Sequence, residues 1–87
     1  GRWVCAVCAA PLVLQAAGIL GGRRVTCFPG VAEQLTATAR VNERVVVDDN
    51  LITSQGAGTS LEFALEIVRR VGGELLARRV GAEMVAF

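Results

Sequence analysis

The chain has 87 residues, too few for more than one domain. Nine arginines and eight acidic residues give a formal net charge of +1. Proteins that bind nucleic acid or anionic membranes usually carry a larger excess of basic residues, so we predict neither partner. Lysine, histidine and tyrosine are absent, which excludes histidine dyads, histidine zinc sites and catalytic lysines, and leaves cysteine, carboxylates, arginine and backbone amides for any chemistry.

Two predicted elements occupy the first twenty residues. Residues 3–7 are an apolar run without polar alternation, which is typical of a strand covered on both faces. Residues 9–20 carry apolar side chains at helical spacing, with Pro11 in the first turn, and Gly21-Gly22 predicts the end of this helix. Because Pro11 interrupts the apolar stretch, we predict a strand and a helix there and no membrane span.

Short secondary-structure elements are predicted in the middle of the chain. Residues 24–28 favour a second strand, which Pro29-Gly30 would end, and residues 31–35 favour a single helical turn. Residues 36–42 are polar and predict a loop.

A β-hairpin is predicted next. Residues 44–47 and 51–53 are rich in β-formers, and they flank Asp48-Asp49-Asn50, whose side chains suit a tight turn.

Two helices are predicted in the last third of the chain. Thr59 and Glu62 have the spacing of a reciprocal capping box, and Gly72-Gly73 would end the helix that follows. Residues 74–80 predict a last helix before an apolar tail at residues 84–87, a candidate for intermolecular packing. The apolar stripe of the first of these helices is predicted to face the core: Leu61, Ala64, Leu65, Val68 and Val71.

The order of elements fits part of an α/β layered fold. The first strand has no earlier strand to pair with, and 53% of the residues are hydrophobic, a high load for so small a core. We therefore predict that residues 1–87 are about half of one domain and that part of their apolar surface packs on the other half.

Cys8 is the strongest candidate for chemistry. It lies where the predicted strand passes abruptly into the helix, so its thiol would face unpaired N–H groups and the positive end of the helix dipole, which stabilise a thiolate. The same sharp turn lifts a side chain above a sheet, and the N–H of Ala9 could donate to an oxyanion. A buried structural cysteine is the alternative from spacing alone.

Three segments resemble one known family. The run Val4-Cys5-Ala6-Val7-Cys8-Ala9-Ala10-Pro11 resembles the nucleophile elbow of the ThiJ/PfpI superfamily. The segments 24–29 and 51–65 agree with the same family in order and spacing, and the second resembles its Leu-Thr-Ser-Arg/Gln-Gly-Pro-Gly-Thr segment in the DJ-1-like clade.

This resemblance implies a flavodoxin-like three-layer α/β/α sandwich, usually dimeric, of which residues 1–87 are about the C-terminal half. It implies Cys8 as nucleophile and the Ala9 amide as oxyanion donor, without a cofactor or a metal. A glutamate that tunes the cysteine would come from the N-terminal half, whether that half is a separate chain, a cleaved product or a missing segment. The resemblance also places other residues near the site: Phe28, Pro29, Gly56, Ala57 and Gly58.

The sequence departs from the family pattern at two places. Phe28 stands where many members have a histidine, which argues against proton transfer by that residue. Ala57 replaces the usual proline between two glycines, which leaves the turn more flexible.

Other motifs have competing interpretations. Cys5 and Cys8 form a C-x-x-C pattern, but the predicted strand holds them too far apart for a disulfide, and we expect Cys5 to be buried. Gly56-Ala57-Gly58 imitates a phosphate loop, although a turn and helix cap is favoured. For Cys27, a packed bystander is favoured, and a thiol that resolves an oxidised Cys8 stays open.

We therefore predict a cysteine enzyme that removes reactive dicarbonyls or early glycation adducts, of the glyoxalase or deglycase type. A redox sensor or chaperone that uses the same cysteine is the alternative, as is a non-catalytic fragment that needs its N-terminal half. The odd number of cysteines, with no signal peptide before them, predicts a reducing cytoplasmic setting. A small carbonyl substrate and a second copy of the chain are the expected partners.

Overall fold

The computed structural model describes residues 2–36 and 38–86. The predicted α/β class is confirmed. The elements in chain order are β1 (Val4–Val7), α1 (Pro11–Ala16), β2 (Arg24–Val25), a 3₁₀ turn (Pro29–Gln34), β3 (Ala39–Arg40), β4 (Val45–Asp48), β5 (Leu51–Ser54), a second 3₁₀ turn (Ala57–Thr59), α2 (Ser60–Gly72) and α3 (Glu74–Glu83).

A three-stranded mixed sheet with the order β1-β5-β4 forms the centre of the structure. Strand β5 pairs in parallel with β1 and antiparallel with β4, and all four of its residues are buried. The predicted hairpin of β4 and β5 is confirmed. Strand β1 lies at an edge of the sheet, and within the described residues no strand pairs with its other side.

Strands β2 and β3 form a separate parallel pair, and here two predictions were wrong. The strand predicted over residues 24–28 is only two residues long, because the Thr26 N–H donates to the Thr53 hydroxyl and the Phe28 N–H donates to the Cys8 carbonyl instead of continuing a ladder. The loop predicted over residues 36–42 contains β3, whose backbone pairs with β2 although its sequence lacks the apolar pattern of a strand.

Helix α1 is shorter than the predicted helix over residues 9–20. It ends at Ala16, and Gly18 then adopts a left-handed φ of +77°, a conformation that glycine reaches without steric cost. The Ile19 N–H donates to the Leu14 carbonyl, so the helix ends four residues before its predicted last residue, Leu20.

The two C-terminal helices follow the prediction with changes. Gly73, with a φ of +95°, separates α2 from α3, and α3 runs three residues beyond the predicted end at Val80. The apolar stripe of α2 is core only in part: Leu65 is buried, whereas Val71 is 69% exposed.

One hydrophobic cluster packs α1, the first 3₁₀ turn and β2 against the sheet. Its buried members are Leu20, Val25, Cys27, Leu35 and Leu51. At the other end of the chain, Met84 and Val85 are exposed, while Phe87 lies outside the described residues, so packing of this tail on another molecule stays a prediction. Within residues 2–36 and 38–86, every helix is too short or too polar to cross a membrane.

Candidate functional site

Cys8 occupies a tight turn at the end of β1. Its φ of +63° is left-handed, a conformation that costs a non-glycine residue about 1–3 kcal/mol and that clusters at functional sites. Two backbone hydrogen bonds hold it there: the Cys8 N–H donates to the Ser54 carbonyl over 3.1 Å, and the Cys8 carbonyl accepts from the Phe28 N–H over 2.8 Å. The chain therefore presents the thiol at the mouth of a turn, where it is partly buried.

The helix after Cys8 begins later than predicted. Residues 8–10 form a turn, and α1 starts at Pro11 and is six residues long, so Cys8 precedes a short helix and not the long one that the sequence predicted. The Ala10 N–H is occupied by the Val7 carbonyl. In the part of the chain that the structure describes, the exposed Ala9 N–H donates no hydrogen bond, which leaves it available for an oxyanion formed at Cys8.

Phe28 contacts the turn at Cys8 through its N–H and the glycine loop at residues 56–58 through its ring. Its side chain is 47% exposed, and the ring lies against two glycines. A Cβ at Gly30 would lie 2.7 Å from ring Cε2, and one at Gly56 would lie 3.7 Å from ring Cδ1. The Phe28 ring therefore packs against Gly30 and Gly56.

The other residues expected near the site lie in the adjoining loops. Pro29 begins the first 3₁₀ turn, and Ala57 and Gly58 belong to the second. All three are exposed, and none of the hydrogen bonds among the described residues joins them to Cys8.

The glycine loop is held by a polar network that the sequence did not predict. The hydroxyls of Ser54 and Thr59 share a hydrogen bond of 2.6 Å, and the Gly56 N–H donates to the Thr59 hydroxyl over 3.1 Å. The predicted capping box is wrong, because the Thr59 hydroxyl is engaged here and Glu62 pairs with Arg44. Arg44, directly before β4, also donates to the Gly58 carbonyl over 2.8 Å. Side chains from β5 and from the residue before β4 therefore help to hold the loop.

We expect Arg44→Gln to raise the pKa of Glu62. A hydrogen bond from Arg44 holds the pKa of Glu62 below its usual value, partial loss of solvent opposes this, and the Arg44 charge adds to the lowering. A lowered carboxyl pKa stabilises the fold above the unfolded-state value and loses that effect as pH falls through the folded-state value. Carboxyl chemical shifts followed against pH measure the change.

Arg79→Gln is the matched control, because Arg79 pairs with Glu83 on the exposed end of α3 and should leave Glu62 unaffected. An unchanged Glu62 titration in Arg44→Gln would contradict the pairing.

Cys27 lies beside Cys8 and is fully buried. The pKa of the Cys27 thiol lies above its usual value, chiefly because burial raises it; the positive charge of Arg40 opposes that rise, and the charge of Cys8 adds to it. Arg40 was not a candidate in the sequence because β3 was predicted as loop. All three cysteines are free thiols, and Cys5, predicted to be buried, is exposed on β1.

Two further features lie away from Cys8. A cleft of about 570 Å³ is formed by α2, the start of β4 and the C-terminal residues, and its lining includes Arg44, Leu61 and Ala86 but none of the residues predicted for the site. Among residues 2–36 and 38–86, no group of three or more cysteine and carboxylate side chains is arranged to hold a metal ion.

Comparison with known proteins places this geometry in a family. The model of the DJ-1/PfpI family matches residues 1–70. The chain is 51% identical over 69 residues to protein DJ-1 homolog B of Arabidopsis thaliana, covering 78% of this chain and 16% of the relative. It is 43% identical over 75 residues to the glutathione-independent glyoxalase DJR-1.2 of Caenorhabditis elegans, covering 84% and 40%.

The same likeness holds in three dimensions. The crystal structure of Drosophila melanogaster DJ-1beta superposes with a TM-score of 0.93 and 38% identity, covering 95% of this chain and 46% of that one. The chain thus spans less than half the length of these relatives. The flavodoxin-like α/β fold expected from the sequence is confirmed.

Proposed function

Because the chain belongs to the DJ-1/PfpI family, we propose that it carries the nucleophile of a cofactor-independent enzyme that acts on reactive dicarbonyls, of the glyoxalase type. The observation that carries the proposal is the left-handed Cys8, held in a turn beside an unoccupied Ala9 amide. The relative from Caenorhabditis elegans that is named a glutathione-independent glyoxalase supports the choice of reaction.

The proposed reaction begins when the Cys8 thiolate attacks the aldehyde carbon of a 2-oxoaldehyde. A C–S bond forms, the carbonyl π electrons move to oxygen, and the resulting oxyanion accepts a hydrogen bond from the Ala9 N–H. A base then moves the proton from the former aldehyde carbon to its neighbour, which leaves a thioester of Cys8 and a new hydroxyl group. Water releases the 2-hydroxy acid and restores the thiol, so the substrate is isomerised and hydrated without an external oxidant.

The base in this scheme is a glutamate from the N-terminal half of the domain. Among the described residues, Cys8 has no carboxylate as a hydrogen-bond partner, and Phe28 at the mouth of the site has no group that transfers a proton. The unpaired side of β1 offers backbone groups on which a strand of that half could add to the sheet. Two such assembled domains would form the expected homodimer.

The test is formation of a 2-hydroxy acid from methylglyoxal. The protein at its natural full length is incubated with methylglyoxal, without glutathione and with a metal chelator, and lactate is measured enzymatically. We expect lactate to accumulate in proportion to protein concentration, and lactate at only the protein-free rate would contradict the proposal.

A deglycase is distinguished in the same assay by adding the preformed adduct of methylglyoxal with N-acetylarginine. A glyoxalase makes lactate from the adduct no faster than the adduct releases free methylglyoxal, whereas a deglycase exceeds that rate.

Residues 1–87 alone should make no lactate, because the proposed base lies outside them. Circular dichroism of the same sample reports whether it is folded. A folded 87-residue chain with full activity would contradict the need for an N-terminal half.

A further inference from the structure

We propose that Cys27 is a resolving thiol, which closes a reversible disulfide with Cys8 after peroxide has oxidised Cys8, and that Arg40 is the positioning residue that keeps Cys27 reactive. The proposal concerns oxidation of Cys8 and not its attack on a carbonyl substrate, so it goes beyond the proposed function and can fail separately from it.

The backbones of the two cysteines are already neighbours. The Phe28 N–H donates to the Cys8 carbonyl over 2.8 Å, so Cys27, the residue before the donor, lies next to the backbone of Cys8. Hydrogen-bonded backbones lie about 5 Å apart, and a disulfide needs Cα atoms about 4.4–6.8 Å apart. Little backbone movement is therefore needed to join the two sulfur atoms.

The pairing of β2 with β3 brings Arg40 to Cys27. Val25 is opposite Arg40 in the ladder, and Cys27 follows Val25 by two residues, so Arg40 lies across from the segment that carries Cys27. The Arg40 guanidinium donates to the Asn42 side chain over 3.5 Å, and its positive charge lowers the pKa of the Cys27 thiol. No carboxylate of the described residues forms a salt bridge with Arg40, so its charge is available to a thiolate.

Exposure sets the order in which the two thiols react. Cys8 is partly buried in an open turn, whereas Cys27 is fully enclosed in the hydrophobic cluster. Peroxide therefore meets Cys8 first. Burial keeps the pKa of Cys27 above its usual value and the charge of Arg40 limits that rise, so more of the reactive thiolate is present than burial alone would allow.

The disulfide forms in two steps. The Cys8 thiolate attacks one oxygen of hydrogen peroxide, the O–O bond breaks, hydroxide leaves and Cys8 becomes a sulfenic acid. The Cys27 thiolate then attacks the Cys8 sulfur, the S–S bond forms, and the S–O bond breaks with loss of hydroxide. A small thiol such as dithiothreitol returns both residues to thiols by two-electron reduction.

The experiment maps the disulfide in the protein at its natural full length. After treatment with an excess of hydrogen peroxide, which supplies one peroxide for each oxygen that sulfur can gain, and alkylation of free thiols, cleavage after arginine gives the segments 3–23, which holds Cys5 and Cys8, and 25–40, which holds Cys27. Mass spectrometry should find the two segments joined by a disulfide and separated by dithiothreitol.

The variants identify the partners. Cys5→Ser should keep the joined segments, whereas Cys27→Ala should lose them and let Cys8 gain two oxygens. Arg40→Gln should close the disulfide about tenfold more slowly near neutral pH, because loss of the Arg40 charge leaves less of the Cys27 thiolate, and higher pH or Arg40→Lys should restore the rate.

Three results would overturn the proposal. The first is a parent protein in which Cys8 gains two oxygens as fast as in Cys27→Ala and no joined segments form. The second is a joined product that disappears in Cys5→Ser. An unchanged closing rate in Arg40→Gln would remove the role of Arg40.

Discussion

Cys8→Ala should lower the rate of lactate formation from methylglyoxal by roughly 10³-fold or more, because covalent attack on the aldehyde has no other nucleophile at this turn. Alanine keeps the Cβ, so it pays the same conformational cost as cysteine at the φ of +63° and the fold should be retained. The measurement is initial lactate formation by parent and variant at equal concentration of folded protein.

Cys8→Gly separates chemistry from strain. Glycine reaches the left-handed region without the steric cost of a Cβ, so this variant should be as inactive as Cys8→Ala but more stable than it by about 1 kcal/mol in urea unfolding. This result would mean that the protein is less stable with cysteine at position 8 than with glycine, and that the cysteine is present for its reactivity. Equal stability of the two variants would show that the turn is not strained.

Cys5→Ala is the matched control for the loss of a thiol. Cys5 is exposed on β1, three residues before the turn, and its replacement should leave lactate formation unchanged. If Cys8→Ala made lactate as fast as Cys5→Ala, the proposed function would be wrong.

Local turn chemistry explains which parts of the fold were predictable. The hairpin of β4 and β5 was predicted because its two apolar runs flank residues that tolerate a tight turn, and Asp49 does adopt a left-handed φ of +54°. The end of α1 was not, because Gly18 and Gly21-Gly22 are equally good stops on local grounds. The choice of Gly18 returns the chain early enough to bury Leu20, which is a tertiary effect.

The candidate site divides in the same way. The elbow at Cys8 follows from an apolar strand that ends in small residues and a proline, a pattern contained in eight consecutive positions. The placement of Arg40 opposite the segment of Cys27 depends on the pairing of β2 with β3, and two-residue strands carry no detectable periodicity. Likewise, the Thr59 hydroxyl binds Ser54 on the neighbouring strand instead of the amide that its cap position predicts, because a buried hydroxyl needed a partner.

Leu51→Ala should lower the free energy of unfolding by about 2–5 kcal/mol, the range for leucine-to-alanine changes in a packed core. Leu51 lies on the central strand with 1% of its surface exposed, and it belongs to the hydrophobic cluster that also encloses Cys27. Removal of three side-chain carbons leaves a cavity beside that thiol. Urea unfolding of the protein at its natural full length should show a lower midpoint and an unchanged slope.

Leu75→Ala is the matched control, because the same atoms are removed from a side chain that is 83% exposed on α3. It should change the stability by less than about 0.5 kcal/mol. Since the cavity of Leu51→Ala adjoins Cys27, iodoacetamide should also label Cys27 faster in that variant than in Leu75→Ala. Equal stability and equal labelling in the two variants would mean that this cluster neither supports the sheet nor shields the thiol, and the order of oxidation inferred from burial would lose its basis.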